Sequence, residues 1–203
     1  MGYLVYRWAF DGRIAIKYPI LFLAVIIVIT SLVINHEQKQ QKAELLAYLD
    51  SVTSREIKHL DSIQTIQSAD MATLRAMQAR DEQAFLKSLD IELVIQDATL
   101  AMVKSDILNF ENTSPPSEAQ THLDLMIVSL RITQSGLNKL IYGNRITYEK
   151  LYSQFYSPNQ NKEYPDTAEE MRQGRELIRQ ALESWKQVGI EEDKLLSLLG
   201  IWR

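Results

Sequence analysis

The chain has 203 residues, a formal net charge of −4 and no cysteine. This length suits one folded domain with a sizeable core. The lack of cysteine excludes disulfides, thiol catalysis and metal sites with cysteine ligands. Because lysine and arginine form no basic stripe, we expect no nucleic-acid partner. Only seven glycines and five prolines punctuate the chain, which favours long helices.

The first element along the chain is an apolar stretch, YPILFLAVIIVITSLVIN, with no charged residue between Lys17 and Glu37. At 1.5 Å per residue it reaches roughly 25 to 30 Å, close to the hydrocarbon thickness of a bilayer. A buried core helix would carry a polar face, and a cleaved signal peptide would carry small residues before the cut. The stretch has neither, so the sequence predicts a retained transmembrane anchor over residues 18–35.

The basic residues around this anchor indicate its orientation. They are Arg7, Arg13 and Lys17 before it, and Lys39 and Lys42 after it. By the positive-inside rule this small excess favours a cytoplasmic N-terminal tail, residues 1–17, and an extracytoplasmic domain, residues 36–203. We therefore expect a single-pass protein of the cell (inner) membrane, held by an uncleaved signal-anchor.

No Pro or Gly follows the anchor before the first loop, so its helix is expected to continue to about residue 79. The predicted core face of this helix consists of Leu46, Leu49, Ile57, Leu60, Ile63, Leu74 and Met77. Asp81 is placed to start a second helix. The heptad seam of the second helix consists of Leu86, Leu89, Leu93, Gln96, Leu100, Val103, Ile107 and Phe110.

Two prolines in NFENTSPPSEAQ separate the second helix from a third, predicted from about residue 117 to 157. Its seam consists of Leu123, Ile127, Leu130, Gln134, Leu137, Ile141, Asn144, Tyr148, Leu151 and Phe155. Gly136 and Gly143 either weaken this helix or let a neighbour approach closely. Thr167 and Glu170 form a capping box for a fourth helix that is expected to stop near Gly189. Together these elements predict an all-α fold, in which a transmembrane helix precedes an antiparallel up-and-down bundle of about four long helices.

Three glutamines interrupt otherwise apolar seams, namely Gln67, Gln96 and Gln134. Each lies about 20 to 30 Å from the loop that joins its helix to the next, so an antiparallel bundle would bring them into one layer. Buried amides would bond to one another and fix the register of the helices. Two alternatives remain open: partial exposure at the edge of the seam, or a site for a small polar ligand.

The chain carries no recognisable catalytic motif, and we expect no cofactor or metal. His36, His59 and His122 are interpreted as surface or interface residues, since none has a partner at i, i+4. The carboxylates Glu169, Glu170, Glu191, Glu192 and Asp193 are interpreted as helix starts that complement the helix dipole.

The aromatic residues Tyr148, Tyr152, Phe155 and Tyr156 form a candidate interface on the third helix, with core or rim packing as the alternative. The sequence thus favours a non-enzymatic accessory, assembly or scaffolding protein that contacts the membrane lipid bilayer and either a protein partner or further copies of itself. The alternative is a sensory or ligand-binding bundle that signals through a membrane partner. Such bundles normally return through a second transmembrane helix, for which this sequence offers no candidate.

Overall fold

A computed structural model describes residues 17–156 and 162–201, and for residues 17–22 it describes the helical backbone alone. The predicted N-terminal tail therefore lies outside the residues with described side chains. The helices are α1 (Lys17–Gln78), α2 (Glu82–Glu111), a short 3-10 helix (Ser117–Ala119), α3 (Gln120–Tyr156) and α4 (Ala168–Leu199). Over the described ranges there is no strand, and the predicted all-α helical bundle is confirmed.

The chain divides into two compact units, residues 1–46 and 47–203. In the first unit the described part is helical, and its apolar side chains from Leu23 to Ile34 are exposed. Among the residues with described side chains, no helix combines the length and the apolar character that a membrane crossing requires. Residues 18–22 of the predicted anchor fall outside that set.

The turn between α1 and α2 lies where the sequence placed it. Asp81 is the N-cap of α2, and its Oδ1 accepts a hydrogen bond of 2.9 Å from the backbone N–H of Ala84. Arg80 before it has a φ of 56°, which reverses the chain within a few residues. The predicted start of the second helix is therefore confirmed.

The end of α4 differs from the prediction. The helix continues through Gly189 to Leu199 and ends at Gly200, whose φ of 78° is the left-handed conformation typical of a helix C-terminus. A glycine inside a helix costs only about 1 kcal/mol relative to alanine. Burial of Val188 and Leu195 on either side of Gly189 outweighs that cost.

The start of α4 also differs from the predicted capping box. Thr167 makes no capping hydrogen bond through its side chain. Asp166 replaces it, because its Oδ1 accepts a bond of 3.0 Å from the backbone N–H of Ala168. The free amide at the helix start is therefore satisfied by a residue one position earlier than predicted.

Contacts between helices in the second unit show antiparallel packing. The pairs that join α1 to α4 are Thr53 with Glu192 and Asp70 with Arg175. The pairs that join α3 to α4 are Ser129 with Ser184 and Lys139 with Gln173. In both sets the residue number rises along one helix as it falls along the other, as in an up-and-down bundle.

Glycines bring α3 and α4 into close contact. A Cβ on Gly136 would lie 3.1 Å from the carbonyl oxygen of Gly174, and a Cβ on Gly174 would lie 2.8 Å from Leu140 Cγ. A Cβ on Gly143 would lie 2.3 Å from Met171 Cγ. The sequence left two interpretations of Gly136 and Gly143, and the structure supports close approach.

The core face of α1 agrees with the prediction at Leu49 and Ile63, which are buried, and differs from it at positions between them. Glu56 and His59 are buried, whereas the predicted core residue Ile57 is 55 % exposed and Leu60 is half-buried. Periodicity fixes the spacing of a buried face, but neighbouring positions on a helix differ by only about 100°. In the neighbouring pairs Glu56–Ile57 and His59–Leu60 the bundle buries the polar member. Its interior is therefore more polar than the sequence predicted.

Candidate functional site

The carboxyl of Glu92 on α2 is fully buried inside the bundle. Its Oε1 accepts hydrogen bonds from Gln96 Nε2 at 2.7 Å and from Asn144 Nδ2 at 2.8 Å. The Asn144 amide also lies 3.2 Å from Gln96 Oε1, so the three side chains form one network. We refer to Glu92, Gln96 and Asn144, with the neighbouring Thr73 of α1, as the carboxyl–amide cluster.

The second oxygen of this carboxyl is in a different situation. Glu92 Oε2 and Thr73 Oγ1 are both buried, and neither has a hydrogen-bond partner of acceptable geometry among the described atoms. Burial raises the pKa of Glu92, while the Thr73 hydroxyl and the Asn144 amide act against the rise. A carboxyl with an elevated pKa holds its proton more readily, and a proton on Oε2 would provide a donor for the Thr73 hydroxyl.

An ion pair lies beside the cluster. Arg175 of α4 contacts Asp70 of α1 through both Nε and Nη2, the shortest distance being 2.7 Å to Oδ1. Asp70 is 15 % exposed and Arg175 is 40 % exposed, so the pair borders solvent. This forked geometry ties α1 to α4 with more directional specificity than a lysine would give.

A second set of buried polar groups surrounds His122 on α3. The Tyr48 hydroxyl lies 2.9 Å from His122 Nδ1, and His122 Nε2 lies 3.9 Å from Glu56 Oε2. Burial lowers the pKa of His122, and the nearby carboxylate of Glu192 opposes this shift. Glu192 in turn accepts a bond of 2.9 Å from Thr53 Oγ1.

His59 on α1 occupies a third polar position inside the bundle. Its Nε2 lies 2.8 Å from Asp106 Oδ2, and its ring stacks on Trp185 with centroids 5.6 Å apart. Burial lowers the pKa of His59, and the hydrogen bond to Asp106 opposes this. A neutral imidazole that donates from Nε2 to the Asp106 carboxylate fits these contacts.

The structure corrects the interpretation of two histidines. His59 and His122 were assigned to the surface or an interface, but both are buried. Only His36 is exposed. The residues that bond to the buried rings are far away in sequence, so a search at i, i+4 does not find them. No group of three metal-ligating side chains occurs among the described residues.

The carboxylates of α4 divide in a similar way. Glu169 and Glu170 lie in the first turn of the helix, as predicted. Glu191, Glu192 and Asp193 lie far inside it, since α4 does not stop at Gly189. Glu192 is buried and bonds to Thr53, so it contributes to packing rather than to a helix start.

The predicted layer of three glutamines has a different membership in the structure. Gln96 is buried, Gln134 is half-buried and Gln67 is exposed. Gln96 bonds to Glu92 and Asn144 and not to the other two glutamines. The layer fails for Gln67 because α1 buries the neighbouring Ile66 at this turn. Sequence reasoning missed Glu92, for which the only signal was its place one helical turn before Gln96.

The candidate interface residues lie together at the end of α3. Tyr148 and Tyr152 stack with ring centroids 6.0 Å apart, Tyr152 and Tyr156 are 4.6 Å apart, and Phe155 and Tyr156 are 6.4 Å apart. Tyr152 is 49 % exposed and Tyr156 is 66 % exposed. We refer to these four residues as the aromatic ladder. Its rings contact one another and leave a large apolar surface in solvent.

Comparisons with protein-family models, with curated proteins and with solved structures each found no match.

Proposed function

We propose that this chain is a non-enzymatic, single-pass membrane protein whose helical bundle binds another protein, as an accessory, assembly or scaffolding component of a membrane complex. The observation that carries the proposal is the apolar part of α1. Nine large apolar side chains between Leu23 and Ile34 are each 44–63 % exposed. They lie on all sides of the helix, and a helix that is apolar all round requires an apolar surrounding.

Lipid is the surrounding that the sequence supports. The apolar run extends upstream to Tyr18, and no charged side chain interrupts it between Lys17 and Glu37. A run of this length is close to the thickness of the hydrocarbon layer. The excess of basic residues before the run supports a cytoplasmic N-terminus and an extracytoplasmic bundle, residues 36–203.

Membrane fractionation tests the anchor directly. The full chain is expected to remain in the membrane pellet after an alkaline carbonate wash, and detergent is expected to release it. Protease added to the outside of intact spheroplasts is then expected to digest the bundle. Release of the protein by carbonate would contradict the anchor, and protection of the bundle in spheroplasts would contradict the orientation.

The aromatic ladder supports a protein partner for the bundle. Tyrosine and phenylalanine are enriched where proteins bind one another, because they bury a large rigid area at a low cost in conformational entropy. Tyr152 and Tyr156 are the most suitable members to test, since they are the two most exposed, at 49 % and 66 %.

A pair of matched variants tests this surface. Tyr152→Ser with Tyr156→Ser is expected to remove a protein that co-purifies with the wild-type chain from mild detergent. Tyr142→Ser is the control, because Tyr142 on the same helix is also 49 % exposed and lies outside the ladder. Equal recovery of the partner with both variants would contradict the assignment of the ladder as the binding surface.

A sensory or ligand-binding bundle is the second candidate, and the carboxyl–amide cluster favours it. Glu92 Oε2 and Thr73 Oγ1 are buried polar atoms that make no hydrogen bond of acceptable geometry with the described atoms, and ligand sites commonly hold a few convergent polar groups. A small amine or amino acid that binds here should raise the melting temperature of the wild-type chain. A rise that persists in Glu92→Gln would contradict binding at this cluster.

A further inference from the structure

Helix α1 carries a second stripe beside its core face, with regular spacing of four and three residues. Its members are Thr53, Ile57, Leu60, Gln64, Gln67, Met71 and Leu74. Ile57 is 55 % exposed and Met71 is 50 % exposed, while Gln64 and Gln67 are also exposed. Alternating steps of four and three are the heptad pattern with which one helix packs along another. We refer to these seven residues as the outer stripe.

The outer stripe is additional to the face that α1 uses inside its own bundle. The core face of α1 in this region includes Val52, His59, Ile63 and Ile66, all of them buried. The outer stripe lies at neighbouring positions around the helix. Four of its members are exposed, namely Ile57, Gln64, Gln67 and Met71, while Leu60, Leu74 and Thr53 are half-buried and Thr53 also bonds to Glu192 of α4. A solvated helix face normally carries charged residues at these positions, so the apolar members need a separate explanation.

The exposed face of α4 shows what a solvated face looks like in the same bundle. It carries ion pairs one turn apart, at distances of 2.7 to 2.8 Å, and these are Glu169 with Arg172, Glu176 with Arg179, and Glu183 with Lys186. Between Thr53 and Leu74, the exposed charged residues of α1 are Lys58 and Asp61, and the partly exposed Arg55 pairs with Asp106 of α2. The two helices therefore differ in surface chemistry, and α1 has the composition of a contact surface.

We propose that the outer stripe is the contact between two copies of this chain, with α1 packed in parallel and in register against α1 of the second copy. A two-fold axis then brings each residue of the stripe against itself. Ile57, Leu60 and Met71 meet identical apolar side chains. Gln64 and Gln67 meet identical amides, each of which offers both a donor and an acceptor.

The two glutamines fix the register of this pair. A polar layer within an apolar seam bonds fully only when the two helices are aligned, so it selects one alignment at some cost in stability. Asp50, one heptad before Ile57, would face its own copy as a like charge. Close packing is therefore expected to begin at Thr53 and to run toward Leu74.

The size of the stripe sets the strength of the contact. From Thr53 to Leu74 the helix extends about 32 Å, and with a helix width of about 10 Å the footprint is roughly 300 Å² per chain. A stable interface buries about 800 Å² per partner. The stripe alone therefore gives a weak dimer. The parallel orientation and a higher local concentration rest on the proposed membrane anchor, which confines both copies to one surface.

Cysteine cross-linking in the full chain tests this contact without background, because the chain has no cysteine of its own. Ile57→Cys and Gln64→Cys place one thiol each in the stripe, and Gln187→Cys on the exposed side of α4 is the matched control. Under mild oxidation of native membranes, both stripe variants are expected to form disulfide-linked dimers several-fold faster than the control. A disulfide requires Cα atoms within about 7 Å, so random collision gives little product.

Equal rates for the three variants, or no dimer with either stripe variant, would overturn the proposed contact. The same samples are fractionated, so that loss of membrane association is scored separately from loss of cross-linking. A chain that leaves the membrane but still cross-links through Gln64→Cys would contradict the anchor and support the stripe. The targeted positions are exposed, and an unchanged helical circular dichroism spectrum confirms that each variant is folded.

Discussion

Asn144 on α3 donates from its Nδ2 to Glu92 Oε1 on α2 at 2.8 Å, in the interior of the bundle. This bond joins two helices through side chains 52 positions apart in the chain. It also holds a carboxyl in a place where burial raises the pKa, so the proton of Glu92 becomes part of the stability of the fold.

Glu92→Gln tests whether the bundle favours the uncharged form. The glutamine oxygen accepts from Gln96 and Asn144 as before, and its NH₂ group supplies a donor toward Thr73. We expect the unfolding free energy at pH 7 to change by less than about 1 kcal/mol or to increase. Glu92→Ala is expected to lose about 2 kcal/mol or more, because it leaves the buried amide of Gln96 without its acceptor and removes the shorter of the two hydrogen bonds of Asn144. Urea titrations of both variants measure the difference.

The pH dependence of Glu92 has a definite sign. The pKa in the folded state is above the ordinary value of 4.5, so the folded chain binds more protons than the unfolded chain between those two values. The stabilisation from this group is complete below pH 4.5 and is lost as the pH rises through the folded pKa. Glu92→Gln should remove this loss of stability at higher pH. If the unfolding free energies of the variant and the wild type changed in parallel with pH, the assignment of the loss to Glu92 would be contradicted.

Gln96→Leu is expected to destabilise the bundle by about 1 to 3 kcal/mol, since it removes a donor to Glu92 and an acceptor for Asn144. The same substitution at Gln67 is the matched control, because Gln67 is exposed. Thermal denaturation of the two variants measures the contrast. A higher melting temperature for Gln96→Leu would show that an apolar core suits this position better than the hydrogen-bond network.

Signals confined to neighbouring residues predicted most of the architecture. The cap at Asp81 is local, and so is the lack of any Pro or Gly between residues 20 and 80. The aromatic ladder was visible for the same reason, since residues three and four apart on a helix are neighbours. Each of these features depends on a single helix and needs no knowledge of its partners.

The interior was less predictable because its polar groups depend on distant partners. At two turns of α2 a leucine competes with a polar neighbour for the core, namely Leu93 beside Glu92 and Leu100 beside Thr99. Hydrophobicity selects the leucine, but the structure buries the glutamate, whose hydrogen bonds come partly from Asn144 on another helix. The same choice between His59 and Leu60 on α1 explains why part of the predicted core face of that helix is not buried.

The two buried histidines predict acid sensitivity. Burial lowers the pKa of His59 and of His122 below the ordinary value of 6.5, so the folded chain binds fewer protons than the unfolded chain just below that pH. Their contribution to stability is complete above pH 6.5 and is lost as the pH falls toward the folded pKa. We expect a loss of up to about 1.4 kcal/mol per pH unit for each histidine.

Variants separate these histidines from other acid effects. His122→Gln should reduce the slope of the unfolding free energy against pH between pH 6.5 and 5. The reduction corresponds to about one proton bound on unfolding, or about 1.4 kcal/mol per pH unit. His36→Gln is the control, because His36 is exposed. Denaturant titrations at a series of pH values give the slopes. An unchanged slope in His122→Gln would mean that this ring does not gain its proton on unfolding.

Alanine substitution at two glycines of α4 tests the close approach of α3. A Cβ at Gly174 would lie 2.8 Å from Leu140 Cγ and 3.1 Å from the Gly136 carbonyl oxygen, so Gly174→Ala must push the helices apart. Overpacking costs about 1 to 3 kcal/mol, whereas the gain in helix propensity is only about 1 kcal/mol, so the net effect on stability is a loss. Gly189→Ala meets no atom within 4 Å and should gain up to about 1 kcal/mol. Thermal unfolding should therefore rank Gly189→Ala above the wild type and Gly174→Ala below it, and equal stabilisation by both would contradict close packing of α3 on α4.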